Sequence, residues 1–146
     1  MVYRIGLLDL QPINDAMIED LSNLLALVRP EDFTARLTCV LNPTFGTASE
    51  LVGGADADLF IDGTLIDIKT SKHLEMRRDI FNQLLGYYCL SCIGGVAGCR
   101  SKVTAVAVYY ARYGLLHRVL IGSFVDPRRF PVLLKWFKAR AMREFL

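Results

Sequence analysis

The chain predicts an α/β domain with a mixed β-sheet, on three observations. Two short apolar runs flank Asp62-Gly63, the pattern of a tight β-hairpin. Residues 103–111 are apolar at nearly every position, as in a strand covered on both faces. Segments with helical spacing of apolar residues, 12–28 and 74–90, precede and follow the hairpin. At 146 residues the chain is expected to form one domain, 1–146, large enough to bury a real core.

The first helix, 12–28, places Ile13, Met17, Ile18, Leu21, Leu24, Leu25 and Val28 on one stripe. Pro12 near its start and Arg29-Pro30 at its end bracket it. A strand is expected over 36–41, closed by Asn42-Pro43, and residues 44–50 read as a loop containing Gly46. Gly53-Gly54 then admits a bulge before the hairpin. Both central residues of a type I′ turn need positive φ, which Gly63 meets without cost and Asp62 tolerates.

The turn sets the register. Ile61 lies opposite Thr64, Phe60 opposite Leu65, Leu59 opposite Ile66, and therefore Asp58 opposite Asp67. Residues two apart on a strand share a face, so Asp56, Asp58, Asp67 and Lys69 are expected on one side. Two carboxylates facing each other repel, at about 0.2–1 kcal/mol on an exposed sheet and more if buried. A cation between them removes that cost, and oxygen ligands suit Mg²⁺ or Mn²⁺. Glu50 is a candidate third acid from the neighbouring segment. The second helix, 74–90, carries Gln83 and Tyr87 one turn apart. Lys72, His73, Arg77 and Arg78 gather at its start as a phosphate-contacting rim. Beyond Gly94-Gly95 come the strand 103–111, a turn at 112–114, a strand at 115–121 and a last helix ending near 144. That helix interleaves Trp136 and Phe137 with Lys135, Lys138, Arg140 and Arg143, a pattern equally suited to the sheet, nucleic acid or a second subunit.

Asp58, an apolar strand, a turn, and Asp67-Ile68-Lys69 together resemble the core of the PD-(D/E)XK nuclease superfamily. Gln83-Leu84-Leu85-Gly86-Tyr87 is similar to the Gln-x-x-x-Tyr motif of its exonuclease and recombination-nuclease branch. Ala57 stands where the superfamily's name puts proline. The resemblance implies a restriction-endonuclease-like core, Mg²⁺ or Mn²⁺ as cofactor, and DNA as substrate. It implies Asp58, Asp67 and the Ile68 carbonyl as metal ligands and Lys69 as the catalytic lysine. It also implies that Gln83 and Tyr87 hold the DNA backbone or the lysine. Many members carry a metal-site glutamate on the first helix. Glu19 falls opposite the apolar stripe and Asp20 at its edge, so both read as solvated helix charges.

Some members of that branch hold an iron–sulfur cluster through one early and three late cysteines, and Cys39, Cys89, Cys92 and Cys99 echo the order. Cys89 and Cys92 fall inside the helix carrying Gln83, however, and the four are read as reduced thiols instead. No apolar run reaches the roughly 18 residues that span a membrane, so a cytoplasmic protein without a membrane partner is expected. The net charge of +2 excludes nucleic-acid binding by general basicity, and any such case must be local. The 53% hydrophobic fraction implies either a generous core or an apolar face meeting another copy, a homo-oligomer.

Overall fold

The computed structural model describes residues 14–145. Apart from the short α2, its secondary structure follows the predicted order: α1 (Asp15–Ala26), β1 (Cys39–Leu41), α2 (Thr47–Glu50), β2 (Leu59–Ile61), β3 (Thr64–Lys69), α3 (Arg78–Gly94), β4 (Ala105–Tyr110), β5 (Leu115–Leu120) and α4 (Phe130–Phe145). The five strands form one sheet in sequence order. β1, β2 and β3 pair antiparallel, β3 and β4 pair parallel through the α3 crossover, and β5 returns antiparallel. No helix among the described residues is long and apolar enough to cross a membrane.

Strand alternation divides the core between the two faces of the sheet. Phe60, Leu65, Val106, Val108 and Tyr110 pack with Ile80, Leu84 and Leu90 of α3 and with Phe45. Ile61, Ile66, Ala107 and Tyr109 pack on the other face against Leu24, Val28 and Phe33. β4 is buried at all six positions, as its uninterrupted apolar run requires. Each fully buried Phe or Leu in this stack stabilises the fold by about 1.5–3 kcal/mol.

The hairpin forms in the expected register, with φ of 44° at Asp62 and 88° at Gly63. Asp62 also has a role that its turn position does not reveal. Its carboxylate accepts the backbone N–H groups of Arg36 (2.7 Å), Leu37 (3.0 Å) and Thr38 (2.8 Å). These bonds hold its pKa below the usual carboxylate value. The stabilisation is therefore present above the unfolded pKa of about 3.9 and is lost as pH falls through the lowered folded value. Asp62→Asn keeps the turn but offers one acceptor oxygen for three donors. Its melting temperature is expected below wild type at pH 7, with the gap closing below about pH 4; a constant gap in melts across that range would contradict this origin.

Two expectations are corrected. Residues 44–50 are not all loop, because Thr47–Glu50 close a helical turn around a buried Ser49. The Ser49 hydroxyl accepts from Phe45 N and donates to the Ala55 carbonyl. The second helix starts at Arg78 and not at residue 74. The carbonyls of Thr70, Lys72 and Glu75 accept from Arg112, Tyr113 and Tyr110, which anchors the connecting segment to the end of β4. The stripe of α1 is mostly uncovered: Met17, Ile18, Leu21 and Leu25 are 52–69% exposed, and only Leu24 and Val28 reach the core. Pro12 and Ile13 of that expected helix lie outside the described residues.

α2 meets α3 at Gly94, where a Cβ would overlap the Phe45 carbonyl oxygen and sit 2.8 Å from Ala48 Cβ. Gly94→Ala is expected to destabilise the fold by about 3 kcal/mol, because backbone cannot yield as a flexible side chain can. An unchanged urea midpoint would show that the two elements separate freely.

Candidate active site

The sheet face that packs on α3 turns polar at the carboxyl end of β3. Leu65 is core, and the next two residues on that face are Asp67 and Lys69. Crevices beyond the carboxyl ends of parallel strands are where open α/β sheets place ligands. Asp58 lies one step past the Leu59–Ile66 pair, opposite Asp67. Its Oδ2 accepts the Ile68 N–H at 2.6 Å, capping the ladder where β2 has not yet begun. A strand residue directs its N–H and C=O to the same edge, so the Ile68 carbonyl faces this opening as well.

Asp67 is 4% exposed. Lys69 Nζ stands 2.7 Å from its Oδ2 as an ion pair, and among the described residues no other donor reaches that oxygen. Burial pushes the Asp67 pKa up, Lys69 pulls it back, and the charge of Asp58 raises it further. Two facing carboxylates, one of them buried, favour positive charge between them, and Lys69 supplies a single ammonium from one side.

Lys69 is held from the helix side. Its Nζ donates to Gln83 Oε1 at 2.9 Å, and Gln83 Nε2 donates to the Tyr87 hydroxyl at 2.7 Å. An ammonium has no acceptor, so it fixes the amide oxygen toward Lys69 and the amide nitrogen toward Tyr87. The Tyr87 ring stacks on Phe45 with centroids 5.7 Å apart. Burial raises the Tyr87 pKa, Gln83 opposes the rise, and Asp67, Asp58 and Asp56 add to it. The hydroxyl thus sits in the field of Asp56, Asp58 and Asp67, and Gln83 of α3 reaches the strand that bears Asp67 and Lys69.

The remaining candidates separate. Glu50 ends α2 with an exposed side chain, and among the described residues no group of three or more His, Cys, Asp or Glu is arranged to hold a metal. Asp20 is paired bidentately with Arg112 at 2.9 and 3.0 Å, and Glu19 is exposed. His73 and Arg77 line a cleft of 290 Å³ together with Lys69 and Gln83, and Arg77 is paired with Asp79. Arg78 points elsewhere, into a groove between α3 and α4. Lys72 is exposed, and its charge adds to the larger effect of the Arg112 hydrogen bond in lowering the Asp20 pKa. Cys89 is buried in α3, Cys92 is exposed on it, Cys39 lies on β1, and Cys99 follows α3.

Sequence reasoning missed the clamp by which Tyr110, Arg112 and Tyr113 shape the 70–77 segment. Two tyrosines and an arginine ending an apolar strand were its only signal. No family model matches the chain, and neither does any curated protein or solved structure.

Proposed function

We propose that the chain is a metal-dependent nuclease that hydrolyses phosphodiester bonds, with DNA as its substrate and a restriction-endonuclease-like core as its fold. The observation that carries the reading is the continuous chain Asp67–Lys69–Gln83–Tyr87 closed beside Asp58. An ordinary surface ion pair has no need of a half-buried amide and phenol behind it. The element order of helix, strand, hairpin, crossover helix and two strands supports the fold.

Asp58, Asp67 and the Ile68 carbonyl form an all-oxygen donor set, and two facing carboxylates, one of them buried, fit a hard divalent cation. Mg²⁺ or Mn²⁺, when bound, supplies Lewis-acid polarisation of a phosphate oxygen and a more acidic water. Lys69 is positioned by Gln83 to orient the attacking water and to offset charge that develops on the phosphate. Tyr87 accepts from Gln83, which leaves its own proton to donate to a substrate oxygen. His73 and Arg77 offer polar contacts along the adjoining cleft. Incubating wild-type protein with labelled single-stranded, linear duplex and circular DNA tests this, with Mg²⁺, Mn²⁺ or chelator. Hydrolysis with metal and none with chelator is expected; intact DNA in every arm would remove the activity.

One observation favours a second reading, a module that binds nucleic acid without cutting it: no third acid joins the pair among the described residues. The exposed aliphatic face of α1 would then serve self-association. Binding without hydrolysis, by an oligomer seen in sedimentation, would select it.

A further inference from the structure

The structure resolves the mixed pattern of the last helix. Leu133, Leu134, Phe137 and Ala141 turn inward, and Trp136 stays 60% exposed at the rim of the α3–α4 groove. That groove holds 420 Å³, with an apolar floor that includes Leu85 and Phe137, and Arg78 and Arg140 among its lining. Its far end reaches Val52 and Phe145, and Phe145 packs beside Gly53 on the segment leading into Asp58.

Charge is concentrated here. Residues 126–145 hold six basic side chains and two acidic ones, while the rest of the chain holds eleven basic and thirteen acidic. Arg140 and Arg143 lie one and two turns from Trp136 on the same side, while the exposed Lys135 and Lys138 project from other sides of the helix. Arg140 is partly neutralised by its pair with Glu144.

We propose that α4 and the α3–α4 groove bind single-stranded nucleic acid, with Trp136 as a stacking platform for an unpaired base and the basic side chains along α4 as its phosphate contacts. The inference rests on the nucleic-acid part of the proposed function and not on cleavage. An aromatic face flanked by cations is the chemistry that holds bases and backbone together. The bases of a duplex are already stacked and cannot lie on a side chain without being extruded. A free mononucleotide would occupy one point, whereas the cations of α4 run from Lys135 to Arg143, about 12 Å along the helix.

Trp136 is the single tryptophan of the chain, so its fluorescence reports this site alone. The full chain, in chelator, is titrated with an oligothymidylate of about 12 nucleotides, the matching duplex, and thymidine monophosphate. The single strand is expected to quench the emission, and the other two to bind far more weakly. Trp136→Ala should weaken the single strand roughly 5- to 150-fold, with Trp136→Phe retaining most of the affinity. Arg143→Glu should weaken it and flatten its salt dependence. Dichroism melts confirm that each variant is folded. Absent binding, unchanged emission on binding, equal affinity of Trp136→Ala, or preference for the duplex would each overturn the proposal. Quenching without hydrolysis in metal would leave it standing and remove the nuclease reading; hydrolysis without quenching would do the reverse.

Discussion

Asp67→Asn is expected to abolish phosphodiester hydrolysis and divalent-metal binding together, while the metal-free protein becomes at least as stable as wild type. The first half follows from replacing one of the two proposed carboxylate ligands with a neutral amide. The second follows from the environment of that carboxylate. Burial and the charge of Asp58 raise its pKa, although Lys69 stands 2.7 Å away. A carboxylate with a raised folded pKa favours folding when protonated, and that contribution is lost as pH rises through the folded value. The anion therefore costs stability at neutral pH, and the neutral amide removes the cost. The gain of Asp67→Asn over wild type should disappear below about pH 4, where both side chains are uncharged. Melts in chelator from pH 3 to 8, paired with Mn²⁺ titrations, measure both halves. A variant clearly less stable than wild type at pH 7 would show that the Lys69 pair outweighs the burial.

Lys69→Ala separates catalysis from binding. Hydrolysis should fall by roughly 10²–10⁴-fold, the scale for removing a group that moves a proton or offsets transition-state charge. Metal affinity should hold or rise, because a cation beside the carboxylates has been removed. Stability should fall by about 1–3 kcal/mol, since Asp67 loses its partner but can take up a proton in compensation. That is less than the 3–5 kcal/mol of a fully enclosed pair, and Lys69 retains 28% of its side-chain exposure. Gln83→Ala should share part of the kinetic loss, because it frees the ammonium that Oε1 now holds at 2.9 Å. Single-turnover rates at saturating metal would show both effects. Equal rates for wild type and Lys69→Ala would assign this lysine to structure alone.

The site was legible because its spacing follows from local geometry. A two-residue turn fixes which residues face each other, so Asp58 opposite Asp67 follows from Asp62-Gly63 and the flanking apolar runs. A helical turn likewise fixes Gln83 beside Tyr87. Residues whose position depends on distant partners were not legible. Asp62 binds three backbone amides on a segment about 25 residues away, and nothing in its own neighbourhood signals this. Residues 74–77 were expected to begin the helix, but the segment 70–77 is claimed by donors at and just past the end of β4, so tertiary contacts override a weak local preference. Periodicity showed that α1 has an apolar stripe, but not what covers it, and Met17, Ile18, Leu21 and Leu25 remain exposed.

The central claim is that Asp58 and Asp67 hold one divalent cation. Anomalous diffraction from crystals soaked in Mn²⁺ tests it most directly. The predicted result is a single manganese peak between the two carboxylates, in contact with an oxygen of each and with the Ile68 carbonyl. A crystal saturated with Mn²⁺ that shows no peak there, with Lys69 still seated on Asp67, would contradict it.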